Sequence, residues 1–395
     1  MDDRPVGPPD YRPNALHQAI VAVDLLSRIP PALISPALAG MAAIAAWPWR
    51  EPALQVAAGL ATLLAILVDG VSLSLLPHRG RSYGPPTPPL LALALLRSGI
   101  VFVLGALWPT WVAVALALLV HLALTIAQLY ATWVEPFRLA VTHVDLPTRQ
   151  VDAPRPLRIL HVSDVHFEGW TPRERELLAR ARELAPDLIL MTGDYLNLSS
   201  VHDPDAQQEV RALLADLAAI APTYAITGSP PVDRSEVVPA IFDGLPITWL
   251  MDEWVDRTVA GHRLRLVGLR SSQKRQRDVP RLLHLLADGE TEDFTILLYH
   301  SPDLMPEAVA CGVDLYLAGH THGGQLSLPF FGALVTSSEF GKRYESGLYR
   351  EGDTVLYVSR GLGMEGLGAP RARFFAPPEL ILFTLTAAAD PPGRS

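Results

Sequence analysis

The sequence predicts an α/β domain of two sheets packed together and flanked by helices, preceded by four transmembrane helices. Residues 32 to 134 are almost uniformly apolar, with Arg50, Glu51, Asp69 and Arg97 as their charges outside one short loop that holds Arg79 and Arg81. Residues 135 to 386 carry the ordinary globular mixture, in apolar runs that first alternate with helical stretches and then follow closely on one another. Three hydrophobic runs stop at Asp or His: Ile159-Leu160-His161-Val162-Ser163-Asp164-Val165-His166, Leu188-Ile189-Leu190-Met191-Thr192-Gly193-Asp194 and Leu315-Tyr316-Leu317-Ala318-Gly319-His320-Thr321-His322. Buried strands deliver metal ligands in this way, and three such ends argue for one polynuclear site.

Length and composition bound the reading. The 395 residues exceed one ordinary domain at about 150 residues each. A net charge of −9 and a pI near 5.7 leave no polyanion-binding footprint, so nucleic acid is not an expected partner. The single cysteine, Cys311, excludes an intramolecular disulfide and a thiolate cage, leaving Asp, Asn and His to hold any metal.

Taken in order, residues 1–31 form an N-terminal arm. The stretches 32–49, 53–76, 88–107 and 109–133 each approach the ~20 residues a spanning helix needs, and they lack the polar face of a soluble helix. A cleaved signal peptide fits poorly, because the apolar pattern recurs four times. Arg4, Arg12 and Arg28, then Arg79 and Arg81, then Arg138 and Arg149 fall on one side of an even number of spans, against Arg50 alone on the other. Positive residues sort to the cytoplasm, which places the arm and the C-terminal domain there, on a multi-pass protein of the cell membrane. Asp69 and Arg97 lie on helices joined by one hairpin, at a common depth of about 10 Å. A salt bridge that pins the hairpin is expected, with His121 as a helix-packing residue.

Residues 135–156, with Pro136, Pro147, Pro154 and Pro156, read as an extended linker. The catalytic unit follows over 157–386. Strands are expected at 157–163, 187–192, 222–227, 247–251, 263–269, 294–299, 313–318, 354–359 and 379–386, and helices at 172–184, 205–219 and 279–287. Residues 387–395 read as a disordered tail.

Asp164-Val165-His166, Gly193-Asp194, Tyr299-His300 and Gly319-His320-Thr321-His322, in this order and each at a strand end, resemble the calcineurin-like metallophosphoesterases. The flanks Gly323-Gly324-Gln325-Leu326, Ser359-Arg360-Gly361-Leu362-Gly363 and Pro377-Pro378-Glu379-Leu380 are similar to the bacterial membrane-associated phosphodiesterase branch. The resemblance implies a four-layer α/β (α+β) sandwich of two mixed sheets and two divalent ions, Mn, Fe, Zn or Co, which polarise a phosphoryl group. It implies Asp194 as the bridging ligand, Asp164, His166 and His322 on the first ion, and His300 and His320 on the second. Asp194 and His320 are then the expected catalytic residues.

One block departs from the family. Where it has Gly-Asn-His followed by an acid, this chain reads Gly228-Ser229-Pro230-Pro231-Val232-Asp233. In the family the Asn ligates the second metal and the His contacts the phosphate and protonates the leaving group. Ser229 is a weaker neutral ligand, and Pro230 has no proton to give. Either the second metal is weak and turnover low, or the substrate has a leaving group that departs without protonation, such as a phosphoanhydride releasing a phosphomonoester. His202 is a conceivable replacement acid and more simply a solvated loop residue. Arg360 could reach an anionic substrate or support the fold through an ion pair. Lys274, Arg275 and Arg277 read as a polar surface loop able to touch lipid headgroups, and His161 and His262 as structural.

The expected function is a membrane-anchored, metal-dependent phosphoesterase acting on a phosphodiester or pyrophosphate of a small molecule or lipid. The alternative is a catalytically impaired descendant that binds metal or phosphate as a membrane-tethered sensor or scaffold.

Overall fold

The computed structural model describes residues 15–148, 155–287 and 293–388. The chain divides into a helical unit, which runs to Glu135 and includes Glu365–Ala372, and an α/β unit built from Pro136–Met364 and the residues from Arg373 onward. The expected arm lies outside the described residues as far as residue 14, and the expected tail does so from residue 389.

In the helical unit, helices run over Ala15–Asp24, Pro31–Ala46, Pro52–His78, Thr87–Leu107 and Trp111–Leu129. Pro31, Pro52 and Pro88 sit in first turns, where a missing N–H costs nothing. Thr110 caps the last of these helices by accepting from the Ala113 N–H. Three helical stretches, Pro52–His78, Thr87–Leu107 and Trp111–Phe137, are long and apolar enough to cross a bilayer. The stretch expected as the first span differs. Pro31–Ala46 has 16 residues and reaches spanning length only together with Val21–Arg28, across a 105° bend. Pro30 and Pro31 supply the cause, since Ile29 before them is held extended and the rings break the hydrogen-bond ladder.

The polarity of this unit is inverted relative to a soluble bundle. Leu60, Leu64, Val71, Leu95, Leu119 and Leu122 are exposed, whereas Thr62, Asp69, Ser72, Arg97, His121 and Gln128 are buried. Arg97 makes the expected pair with Asp69, bidentate at 2.8 and 2.9 Å, with both side chains fully buried. Its remaining N–H groups reach the His121 carbonyl at 2.8 Å and Thr125 Oγ1 at 2.8 Å, and His121 Nε2 lies 3.2 Å from Thr62 Oγ1. His121 is thus part of the polar lattice and not only a packing residue.

The α/β unit is built on two six-stranded mixed sheets. The first has the order Ala140–Thr148, Glu379–Ala387, Leu157–Val162, Leu188–Met191, Thr223–Ala225 and Ile247–Trp249. The second has the order Gly347–Glu351, Thr354–Val358, Leu315–Ala318, Phe294–Leu298, His262–Gly268 and Glu253–Val259. Ile159, Leu188 and Leu190 of one sheet pack on Leu266, Ile296 and Leu317 of the other. Helices Pro172–Leu184 and Pro204–Ala218 cover the outer face of the first sheet, and Arg275–Leu286 and Met305–Ala310 that of the second, giving four layers.

Part of the expected linker is structured. Ala140–Thr148 forms an edge strand parallel to Glu379–Ala387, with Val144 and Leu146 turned into the core and His143 and Asp145 outward. Pro147 is compatible with this because an edge strand leaves one side of its backbone unpaired. Strands Glu253–Val259 and Gly347–Glu351 and a hairpin of Ser327–Leu328 with Gly332–Ala333 also went unread, because their faces are largely exposed. Of the expected polar loop, Gln273 and Lys274 do precede helix Arg275–Leu286, but Arg275 and Arg277 lie in its first turn, where Arg275 pairs with Glu307.

Candidate metal centre

Both sheets point strand ends at one place. Asp164 and His166 follow Leu157–Val162, and Asp194 follows Leu188–Met191, in the first sheet. His300 follows Phe294–Leu298, and His320 and His322 follow Leu315–Ala318, in the second. Asp164, His166, Asp194, His320 and His322 have positive φ, from 42° to 71°. That region is uncommon for side-chain-bearing residues and costs on the order of 1–3 kcal/mol at each, so the surrounding loops must hold it in place. They do so through backbone bonds: Asp164 N–H to Gly193 O, His166 N–H to Asp194 O and Gly319 N–H to His300 O, at 2.8–3.0 Å. Close approach explains the glycines before Asp194 and His320: a Cβ on Gly193 would collide with the Gly228 backbone, and one on Gly319 with the Asp164 carboxylate.

The six residues expected as ligands come together, all buried, as two clusters: Asp164, His166 and His322, and Asp194, His300 and His320. In the first, His166 Nε2 and His322 Nε2 are 3.1 Å apart and His322 Nε2 is 3.6 Å from Asp164 Oδ1. In the second, Asp194 Oδ2 is 3.2 Å from His300 Nε2. The same Asp194 oxygen lies 3.5 Å from His166 Nε2, so one carboxylate reaches both clusters. Ligand atoms ~2.1 Å from a shared ion stand ~3.0 Å apart at a right angle and ~3.4 Å apart at the tetrahedral angle. The residues therefore fit two divalent ions.

Electrostatics agree with the donor set. Burial drives His166 down to about 4, His320 to about 3 and His322 well below the usual imidazole range, so these rings are neutral and have lone pairs to offer. Burial also raises Asp164 to about 6. For Asp194 burial opposes the charge, but the nearby His300, His166 and His320 outweigh it and hold the carboxyl below its ordinary range. His300 is the counterpart: burial would lower it, yet Asp194 and Asp164 push it up to about 10. Its Nδ1 lies 2.7 Å from the Thr192 carbonyl and donates to it, which aims Nε2 at the centre.

The departing block is built into the same centre. The Ser229 hydroxyl lies 3.2 Å from Asp194 Oδ2, 3.1 Å from His300 Nε2 and 3.4 Å from His320 Nδ1, inside the second cluster. Pro230 beside it presents no proton donor. Asp233 was not singled out from the sequence, yet its buried carboxylate accepts the N–H groups of Asp194, Gly228 and Tyr195 at 2.7, 2.7 and 3.0 Å. Its spacing from the ligand strands gives no sign of this; an acid a few residues beyond Gly228 was the only available cue. Arg360 ion-pairs with Glu379 at 3.0 Å and donates to the Pro377 carbonyl, the fold-supporting alternative. His202 is exposed in the loop before helix Pro204–Ala218. His161 and His262 bond Thr192 Oγ1 and the Arg155 carbonyl, as structural residues do.

Two facing mixed sheets whose strand ends bring two Asp/His clusters together define a metal-dependent hydrolase of the metallophosphoesterase class. Residues 157–324 match the model of the calcineurin-like phosphoesterases. The chain is 32% identical over 270 residues to the uncharacterized metallophosphoesterase YkuE of Bacillus subtilis (strain 168), covering 65% of this chain and 88% of that protein. It is 30% identical over 224 residues to the phosphodiesterase YaeI of Escherichia coli (strain K12), covering 54% and 77%. It is 25% identical over 324 residues to the UDP-2,3-diacylglucosamine pyrophosphatase LpxG of Chlamydia muridarum (strain MoPn / Nigg), covering 67% and 95%. The chain belongs to the calcineurin-like phosphoesterase family.

Proposed function

We propose that this protein is a membrane-anchored phosphoesterase that cleaves a phosphodiester or pyrophosphate, with a leaving group that needs little protonation. The observation that carries the reading is the convergence of Asp164, His166 and His322 with Asp194, His300 and His320 around a carboxylate within 3.5 Å of an imidazole in each cluster. Asp194 would bridge two divalent ions, with three of the other residues on the first and two on the second. Bound there, the ions supply Lewis acidity toward the phosphoryl oxygens and activate water at neutral pH. Ser229 is positioned as an added neutral ligand of the second ion, weaker than an amide oxygen. General acid catalysis is commonly worth about 10²–10⁴-fold, and no imidazole occupies the Pro230 position to provide it. A phosphoanhydride, which releases a phosphomonoester, suffers least from that lack. The pyrophosphatase named among the relatives supports a lipid-linked nucleotide substrate as the class to try first.

For the anchor we propose four spans with the catalytic unit cytoplasmic. An apolar exterior around a buried ion pair suits hydrocarbon and not water. Exposed Trp47, Trp108 and Trp111 lie in or beside the loops that join alternate helices, where an interfacial aromatic belt belongs. The activity is tested by Mn²⁺-stimulated hydrolysis of an aryl phosphodiester beside a nucleotide-diphosphate ester, using the full chain. Faster turnover of the diphosphate supports the reading, and metal-independent or absent hydrolysis of both overturns it.

A further inference from the structure

The hairpin Ser327–Leu328 with Gly332–Ala333 displays an apolar tip that the core does not use. Phe330 is fully exposed and Phe331 60% exposed, with Leu328, Leu334 and Val335 also exposed around them. A second segment joins this face. Leu326 forms a β-bridge with Phe374, Ser327 N–H donates to the Phe374 carbonyl at 2.8 Å, and the next residue, Phe375, is again exposed. Phe330 and Phe375 take φ of 66° and 52°, a region bulky residues rarely adopt. Two distant stretches of chain, joined at the Leu326–Phe374 bridge, thus each hold a phenylalanine out into solvent at a backbone cost.

Both stretches are fastened to the candidate metal centre. The hairpin begins directly after the His322–Gly324 turn, and a Cβ on Gly324 would collide with Ala333. The other stretch begins with buried Arg373, whose guanidinium lies 3.5 Å from His322 Nδ1 and bonds the Arg360 and Gly361 carbonyls. Beside the tip, the Lys342 ammonium stands 3.4 Å from the centre of the Phe331 ring and donates to the Phe331 carbonyl, with Arg343 next to it. Arg343 is paired with Glu351 and the Glu345 carboxylate accepts the Ala333 N–H at the base of the hairpin, so Lys342 is the cation that stands at the tip. An apolar tip with a lysine beside its ring is an arrangement that suits the boundary between acyl chains and headgroups.

We infer that Phe330, Phe331 and Phe375 form an interfacial foot, which inserts into the bilayer surface and holds the mouth of the metal centre against lipid. The occupant is a lipid surface and not a second protein, because the tip pairs two aromatics with a cation and the same chain carries helices of spanning length. The inference rests on the membrane half of the proposed function and not on its chemistry.

The test places a nitroxide at Phe330→Cys, in a Cys311→Ser background of the full chain, in nanodiscs of zwitterionic lipid with or without one third anionic lipid. A label at Asp353→Cys, on an exposed turn, is the aqueous reference. The expected result is a ratio of oxygen to nickel-chelate collisions several-fold higher at 330 than at 353, rising further with anionic lipid. Equal ratios at both positions overturn the inference, and so does spin–spin broadening between copies, which would make this face a dimer contact. Leu334→Cys repeats the measurement if the first variant fails to fold. Should the chain purify free of lipid, the membrane reading fails on its own, and the same ratio read after adding vesicles still decides this one.

Discussion

The backbone N–H of Ser229 donates to Asp194 Oδ1 at 2.5 Å, while the Ser229 hydroxyl sits 3.2 Å from the other oxygen of the same carboxylate. Where the family motif implies an amide ligand, this chain clasps the candidate bridging residue from two sides with a serine. The clasp can orient Asp194, but a hydroxyl is a poorer metal ligand than an amide oxygen.

Ser229→Asn is therefore expected to raise occupancy of the second ion. Metal analysis after gel filtration in limiting Mn²⁺ should move from nearer one ion per chain toward two. Unchanged stoichiometry would show that the serine already suffices. Adding Pro230→His supplies an acid, and it should favour alkoxide leaving groups by about 10²-fold or more while leaving phosphoanhydrides little changed.

Asp194→Ala should abolish metal-stimulated hydrolysis, because it removes a carboxylate within 3.5 Å of an imidazole in each cluster. The same variant leaves His300 without its main partner, so the unoccupied protein should lose the charge on that ring at neutral pH. Imidazole chemical shifts would report this directly. A variant that still turns over with Mn²⁺ would sink the bridging role.

Asp233→Asn tests the support behind the ligands. A carboxylate accepts three backbone N–H groups there, including that of Asp194, and an amide oxygen cannot match all of them. Metal affinity should fall about 10–100-fold, as is usual when the groups that orient ligands are lost. Isothermal titration with Mn²⁺ reads the change, and wild-type affinity in the variant would refute the role.

What was legible in the sequence was the set of strand ends. Four blocks at Asp164, Asp194, His300 and His320 could be read because a buried strand is a continuous apolar run and its stop is abrupt. Asp233 was not legible, since its work is to bind backbone N–H groups, which no pattern of residue types encodes. The strand Ala140–Thr148 was hidden by Pro147, and its partner Glu379–Ala387 lies more than 200 residues away along the chain. The Asp69–Arg97 pair was legible because two charges in apolar helices have few alternatives, whereas the expected span 32–49 is cut short at Ala46, two residues before Pro48, at a length hydropathy alone does not resolve.

Metal binding should tighten as pH rises. The ring of His300 is held protonated up to about 10 by Asp194 and Asp164, so an ion that takes its Nε2 must displace a proton. One displaced proton makes the dissociation constant fall about tenfold per pH unit between 7 and 9. Below about 6 Asp164 takes up a proton as well, and the slope should steepen. Titration at several pH values in two buffers of different ionisation enthalpy would count the protons, and a pH-independent affinity would contradict this account.

Breaking the buried pair in the helical unit should cost more than removing it. Arg97→Leu leaves Asp69 with the Thr125 hydroxyl as its side-chain partner, and Asp69→Leu leaves a buried guanidinium with His121 and Thr125 but no counter-charge. Each single change is expected to destabilise the unit by about 3–5 kcal/mol. The double change replaces both charges with apolar groups and should recover much of that loss, because it leaves no unpaired ion behind. Thermal unfolding in mild detergent checks the cycle. If the double variant is as unstable as the sum of the singles, the two residues act separately, and the lattice of His121, Thr62 and Thr125 holds the helices without them.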